Sequence, residues 1–118
     1  RKINFANALA RLAEHHGVNY DHIRFGMAAD YRIGDSHLDV THGGYRGFGG
    51  YCFPKDLNAL IVHMERCGMR EEAGLLRKDW EFNENLLASQ GLTIEDVSVH
   101  DNEWIQKKLD DKKNGEKA

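Results

Sequence analysis

Hydrophobic residues recur at the spacing of an amphipathic helix in three stretches of the chain, residues 2–16, 54–67 and 70–89. A glycine suited to a helix C-terminus follows each stretch: Gly17, Gly68 and Gly91. The apolar face of the first stretch consists of Ile3, Ala6, Leu9 (or Ala10) and Ala13. The pattern predicts three helices, and Asn19 or Asp21 can cap a short fourth helix between the first two.

The chain after residue 90 has a weaker pattern. The segment LTIEDVSV fits either a short strand or a turn capped through Thr93 and Asp96. The segment that follows it predicts a last helix capped near Asp101. We therefore expect an all-α fold in two parts: a helical domain over residues 1–90, and a C-terminal helical extension with a charged tail over residues 91–118.

A glycine-rich segment separates the short helix from the helix that follows Pro54. It covers residues 30–51, and six of the twelve glycines of the chain lie between Gly34 and Gly50. Such density excludes a regular helix, because glycine loses the most backbone freedom on folding. The aromatic residues of the segment argue against disorder: Tyr31, Tyr45, Phe48 and Tyr51. We expect a long ordered loop, and loops of this length in compact domains are commonly functional.

Composition narrows the class of protein. The 118 residues favour one domain, and the net charge of −3 argues against electrostatic binding of nucleic acid. No apolar run approaches the roughly 20 residues of a membrane span, so no membrane partner is expected. Two cysteines without a disulfide or metal-binding spacing predict a reducing cytoplasm. The seven histidines show no chelating pair on one helix face, so no metal site is expected.

The segment GFGGYCFPKD carries the most chemistry. Cys52 precedes Pro54, a residue that favours the first turn of a helix, and the N-terminus of a helix stabilises an anion such as a thiolate. Lys55 adds positive charge nearby, and Asp56 lies about one turn further on. Gly49 and its neighbour Gly50 would allow a ligand to approach the backbone closely. Cys67, at the end of an apolar stripe, is expected to be a small buried hydrophobe.

Four motifs in this order resemble one enzyme family: NALARLAEHHGVN, RIG, GFGG and CFPKD. Over residues 2–85 the chain is similar to the central helical domain of the UDP-glucose/GDP-mannose dehydrogenase family, and most similar to its UDP-glucose 6-dehydrogenases. The resemblance implies an all-α dimerisation domain whose glycine-rich loop binds substrate. It also implies that the chain, which lacks an initiator Met and opens inside a helical pattern, is an N-terminally truncated fragment of a longer enzyme.

The resemblance implies a covalent oxidation. The family oxidises the C6 alcohol of UDP-glucose to the carboxylate of UDP-glucuronate, for polysaccharide synthesis, by two hydride transfers to NAD. Cys52 matches the catalytic cysteine, which adds to the intermediate aldehyde as a thiohemiacetal and is then oxidised to a thioester that water hydrolyses. Asp56 matches an aspartate that positions or activates this water, and Lys55 matches a lysine of the same motif.

The resemblance also implies the substrate contacts. Arg32 matches an arginine that reaches the nucleotide sugar in the neighbouring subunit, a role suited to the fixed fork of a guanidinium. The segment from His37 to Gly49 matches the part of the loop that wraps the nucleotide. Its expected substrate-binding residues are His37, Leu38, Tyr45, Phe48 and Gly49. This loop is several residues longer than the common family form, and His37 stands where the family often has Phe or Tyr.

The cofactor is expected to bind elsewhere in the parent enzyme. The cluster GGYRGFGG is not a G-x-G-x-x-G motif and follows no predicted strand, so this chain should not bind NAD or act alone. The expected partners are UDP-glucose or a related nucleotide sugar and a second copy of the chain, which would cover a partly bare apolar face over residues 3–13. Two alternatives are a GDP-mannose dehydrogenase fragment and a non-catalytic helical module that binds a nucleotide or a protein partner.

Overall fold

The computed structural model describes residues 1–98 and 102–117, with the side chains of residues 1–98 and 105–115. These residues form six helices and no strand: α1 (Lys2–His15), α2 (Tyr20–Ala28), α3 (Cys52–Arg66), α4 (Arg70–Ala88), α5 (Ile94–Val97) and α6 (Asn102–Lys117). The predicted all-α fold is therefore confirmed. The cap expected near Asp101 lies outside the described residues.

Helix α1 packs against both α2 and α4. Ala6, Ala10 and Ala13 of α1 are buried, and short side chains of this kind let packed helices approach closely. Outside the alanine stripe, Phe5 and Leu12 are exposed. Three members of the face expected to be partly bare are thus covered by the chain itself, and the large exposed apolar side chains of α1 lie on a different stripe.

Helices α3 and α4 form a hairpin around the short turn of residues 67–69 and pack along each other. The turn follows the Schellman pattern, in which the Met69 N–H donates to the Met64 C=O at 2.9 Å while Gly68 takes a φ of +75°. At its other end, α3 begins at Cys52 instead of the expected Pro54. Pro54 fits the third position because N–H groups in the first turn have no partner within the helix.

The segment after α4 folds back as a capped turn, so the strand alternative is wrong. Thr93 Oγ1 accepts a hydrogen bond from the Asp96 N–H, and the Asp96 carboxylate accepts one from the Thr93 N–H at 3.0 Å. This capping box brings Val97 against Leu87 and Leu92 in a small buried core. This core joins residues on both sides of residue 90. The predicted division into a domain over residues 1–90 and an extension over residues 91–118 stays a prediction.

Within residues 1–98 and 102–117, no helix combines the length and the apolar character that a bilayer span requires.

Candidate active site

The last part of the glycine-rich loop, residues 46–50, lies along α4, and we call it the loop ribbon. Its backbone is hydrogen-bonded at every second residue. The side-chain amide of Gln90 accepts the Arg46 N–H at 2.8 Å and donates to the Arg46 C=O at 2.7 Å. The side-chain amide of Asn83 accepts the Phe48 N–H at 2.7 Å and donates to the Phe48 C=O at 2.9 Å. The Gly50 N–H donates to the Val97 C=O at 2.7 Å.

The two glycines between these positions are explained by crowding within the chain. A Cβ at Gly47 would stand 2.6 Å from Asn83 Oδ1, and φ at Gly47 is +110°. A Cβ at Gly49 would stand 2.6 Å from Val97 Cγ2 and would also overlap the Tyr45 hydroxyl. The space expected at Gly49 for a ligand is thus filled by side chains of the protein. A substrate contact of the Gly49 backbone stays a prediction.

Cys52 follows the loop ribbon directly and is the first residue of α3. Its thiol is free and exposed. The backbone N–H groups of the first turn of α3 carry partial positive charge, and this charge favours an anion on the side chain beside them. Cys67, by contrast, was expected to be buried, and this expectation is wrong. Because it ends α3 as the C-cap residue, it is exposed, and its Sγ lies 3.9 Å from His63 Nε2.

Two neighbouring cavities open beside the loop ribbon and the start of α3. The larger, about 500 Å³, is the loop cavity, and the smaller, about 330 Å³, is the α3 cavity. Four residues line both: Ile3, His37, Phe48 and Phe53. Of the other predicted site residues, Tyr45 lines the loop cavity and Asp56 lines the α3 cavity. Cys52 lines neither, but Phe53, its neighbour along the chain, lies in the wall between them.

His37 occupies a distinctive position in this wall. Its φ is +63°, a left-handed value that non-glycine residues rarely adopt. The ring centroid of His37 lies 5.8 Å from that of Phe53, at an interplanar angle of 49°. The loop backbone is therefore turned so that the imidazole meets the first turn of α3.

The polar side of the loop cavity is made of carboxylates with fixed partners. Arg24 donates two hydrogen bonds of 2.8 Å to Asp35, and this pairing holds the pKa of the Asp35 carboxyl below its ordinary value. Hydrogen bonds from the backbone N–H and the hydroxyl of Thr41, each 2.9 Å, lower the pKa of Asp39. Both carboxylates are ionised at neutral pH, and ionised carboxylates accept hydrogen bonds from hydroxyl groups.

Residues 1–85 match the central domain of the UDP-glucose/GDP-mannose dehydrogenase family. The chain belongs to this family of oxidoreductases. The matched residues include the loop ribbon, the lining of both cavities and all of α3. The candidate site therefore lies within the part of the chain that defines its family.

Curated relatives of the chain include UDP-glucose 6-dehydrogenases. The one from Pseudomonas aeruginosa is 45% identical over 69 residues, which is 57% of this chain and 14% of the relative. YwqF of Bacillus subtilis is 40% identical over 60 residues, 51% of this chain and 13% of the relative. UDP-glucose 6-dehydrogenase 5 of Oryza sativa subsp. japonica is 31% identical over 84 residues, 71% of this chain and 17% of the relative. The chain thus spans less than a fifth of these relatives. No solved structure matches it.

Besides Cys52 and Gly49, three of the predicted site residues line neither of the two cavities. Arg32 forms a two-point ion pair with Asp30, at 3.0 and 2.7 Å, and its side chain is 75% exposed. Lys55 lines a separate cavity of about 420 Å³ together with Trp80, on another side of α3 from Asp56. Leu38 is buried, and its C=O accepts a hydrogen bond from the Tyr20 hydroxyl at 2.7 Å, so that it anchors the loop to α2.

Sequence reasoning missed several residues of the site. They are Arg24, Asp35 and Asp39 in the loop cavity, Phe53 between the cavities, Asn83 on α4, and Gln90 in the turn that follows α4. One signal was available for Asn83, since it is a polar residue in the apolar stripe of α4 and buried amides need hydrogen-bond partners.

Dehydrogenases of this family use NAD, and the described residues do not fit that cofactor. A dinucleotide-binding site needs a strand that leads through a glycine-rich turn into a helix. Residues 1–98 and 102–117 contain no strand, and two glycines of the loop ribbon, Gly47 and Gly49, are packed against α4 and Val97 respectively. In the same part of the chain, no three His, Cys, Asp or Glu side chains are grouped closely enough to hold a metal ion.

Proposed function

We propose that this chain supplies the nucleophile and the substrate loop of an NAD-dependent dehydrogenase that converts UDP-glucose to UDP-glucuronate. One observation carries the proposal: the exposed thiol of Cys52 begins α3 directly after a loop ribbon whose Phe48 walls two cavities. A thiol that only filled space would be buried. Family membership and the names of the relatives support the same activity.

The proposed chemistry centres on the sulfur of Cys52. Its thiolate adds to the C6 aldehyde of the sugar, forming the S–C bond of a thiohemiacetal while the carbonyl oxygen takes a proton. The N-terminus of α3 favours the thiolate that this addition requires. After oxidation to the thioester, water adds to the carbonyl carbon, the C–S bond breaks, and the carboxylate and free thiol are released. The oxidations require NAD, which is bound outside the described residues.

Asp56 is proposed to serve the hydrolytic step. It lies one turn after Cys52 on α3, lines the α3 cavity and remains largely exposed to solvent. A carboxylate in that place can hold a water molecule and accept its proton. Lys55, 3.8 Å from Asp56, is proposed to act through its charge, because it faces a different cavity.

The loop cavity is proposed to hold part of the nucleotide sugar. Tyr45, Phe48 and His37 provide ring surfaces for a planar base or a sugar face. Asp35 and Asp39 provide acceptors for hydroxyl groups. They also make this cavity unfavourable for the negatively charged diphosphate. Its lining contains two ionised carboxylates and a single arginine, Arg24, which is already paired with Asp35.

We propose that the complete enzyme is a homodimer. Arg32 is exposed and lies outside both cavities of its own chain, as expected for a residue that serves the substrate of a neighbouring copy. Phe5 and Leu12 are exposed apolar side chains of α1 that a partner would cover. In the complete enzyme, Arg32→Ala should then weaken UDP-glucose binding without disturbing the fold.

The test is the yield of NADH per UDP-glucose in the complete enzyme, for wild type and Cys52→Ser. We expect two NADH per sugar from the wild type and no carboxylate product from the variant. Oxidation of GDP-mannose but not UDP-glucose would keep the mechanism and change the substrate. NADH from neither sugar would overturn the enzyme proposal and leave a binding module.

A further inference from the structure

The hydrogen bonds of the loop ribbon are unusual because side chains make them. In a sheet, every second residue of a strand would pair with the backbone of a neighbouring strand. Here the partners at residues 46 and 48 are the side-chain amides of Gln90 and Asn83. Asn83 lies on α4, and Gln90 lies in the turn two residues after its last residue, Ala88. Side-chain amides of the helix and of its C-terminal turn thus take the place of a neighbouring strand.

Each amide holds its loop residue at two points. The oxygen accepts the backbone N–H, the nitrogen donates to the C=O of the same residue, and the four distances lie between 2.7 and 2.9 Å. Such a pairing fixes rotation as well as position, which one hydrogen bond would not do. The peptide groups on both sides of Phe48 are therefore held in a set orientation relative to α4.

Asn83 is fully buried, with 0% of its surface exposed, and Phe48 is 6% exposed. An apolar side chain would fill the same space without the cost of burying an amide. The gain from the amide is orientation, because an apolar contact has no preferred direction. Gly47 supports the same interpretation, since any side chain there would collide with Asn83 Oδ1.

The loop ribbon connects this clamp to both parts of the candidate site. Phe48 walls the loop cavity and the α3 cavity. Two residues later, the Gly50 N–H is held by the Val97 C=O, and two residues after that Cys52 begins α3. A displaced ribbon would therefore move a cavity wall and the backbone that leads to the thiol.

We propose that Asn83 and Gln90 are positioning residues: by clamping the loop ribbon they set the places of Phe48 and Cys52, without touching the substrate themselves. The part that concerns substrate rests on the proposed function. The part that concerns the thiol rests on geometry alone and has its own measurement.

The test compares Asn83→Leu and Gln90→Met with Asn85→Leu in the complete enzyme. The first two variants remove both hydrogen bonds at near-constant volume, and Asn85, exposed on α4, is the matched control. We expect the amide protons of Phe48 or Arg46 to exchange faster with solvent in the respective clamp variant. We expect kcat/KM for UDP-glucose to fall by about tenfold to a hundredfold, because small displacements of reacting groups have effects of that size. The control should match wild type in both readouts.

A second readout separates this proposal from the proposed function. The rate of Cys52 alkylation relative to Cys67, in each variant, reports the surroundings of the thiol without any turnover. A folded clamp variant with wild-type kcat/KM and a wild-type alkylation ratio would overturn the positioning role while the enzyme proposal stands. A wild-type enzyme that does not oxidise UDP-glucose would overturn the proposed function. The alkylation ratio would then be the measurement that tests whether Asn83 and Gln90 position Cys52. If Asn83→Leu does not fold, Gln90→Met tests the positioning role, because Gln90 is only partly buried and its substitution should be tolerated by the fold.

Discussion

The two ends of α3 each carry an exposed cysteine, and their surroundings differ. Cys52 begins the helix after a crowded, hydrogen-bonded loop ribbon, beside two cavities. Cys67 ends it before Gly68, where a Cβ would meet open space. Exposure is common to both thiols and so does not distinguish a nucleophile from a surface residue. The difference lies in the direction of the helix dipole and in what holds the neighbouring backbone.

The largest expected difference between the ends is in catalysis. In the complete enzyme, Cys52→Ser should lower the rate of UDP-glucuronate formation by about a thousandfold or more, because loss of a nucleophile removes the covalent route. Cys67→Ser is the matched control at the other end and should remain within about twofold of wild type. Initial rates of carboxylate release measure both. Equal losses in the two variants would contradict the assignment of Cys52.

The next largest difference is in packing, and it compares Gly49 with Gly68. Gly49→Ala would place a Cβ 2.6 Å from Val97 Cγ2, and overpacking of this kind should lower the free energy of unfolding by about 3 kcal/mol. Gly68→Ala meets no neighbour and should cost about 1 kcal/mol, through its φ of +75° alone.

Urea denaturation of this chain measures both glycine variants. A Gly49→Ala variant no less stable than Gly68→Ala would show that the loop ribbon is not pressed against Val97.

A smaller difference is expected in the reactivity of the two thiols. Cys52 lies at the N-terminus of α3, where the helix dipole attracts anionic reactants, whereas Cys67 lies at the C-terminus, where the dipole repels them. Iodoacetate, which is anionic, should therefore label Cys52 about tenfold faster than Cys67 at neutral pH. Mass spectrometry of the two peptides, after short exposures of the folded chain, gives the ratio. Preferential labelling of Cys67 would contradict the dipole argument.

The fold was predictable from the sequence, and the site only in part. Helices can be predicted from the local spacing of apolar residues, such as Leu57, Leu60 and Ile61 in α3. The motif GFGGYCFPKD located the thiol for the same reason, since its residues are adjacent. The clamp joins residues 35 and 44 positions apart, such as Asn83 with Phe48, and no local pattern encodes that pairing.

The error at Cys67 and the unforeseen crowding at Gly49 have the same physical origin. Cys67 was expected to be buried because it continues an apolar spacing, but the Schellman turn ends the helix there and leaves the residue at the surface. The crowding at Gly49 comes from Val97, which lies 48 positions later in the chain. Both outcomes depend on where a turn or a distant segment comes to lie.

The smallest expected difference is electrostatic and compares two ion pairs. Asp96 pairs with Lys108 in the segment next to Val97, which contacts the loop ribbon. Glu65 pairs with Arg77 near the C-terminus of α3, and this pair is exposed. The hydrogen bond from Lys108, with that from the Thr93 backbone, holds the pKa of Asp96 below its ordinary value. The unfolded chain therefore binds this proton more readily than the folded chain. The stabilisation is complete above the unfolded pKa, about 3.9, and is lost as pH falls through the lower folded pKa.

Asp96→Asn should accordingly lower the free energy of unfolding by about 1 kcal/mol or less at neutral pH, and the deficit should shrink as the pH falls below about 4. Glu65→Gln, in the exposed pair, is the control and should cost less than about 0.5 kcal/mol at neutral pH. Urea titrations of both variants at several pH values measure the difference. A deficit for Asp96→Asn that stays constant down to the acid limit would mean that the charge of the Asp96 carboxylate does not contribute to the stability of the fold.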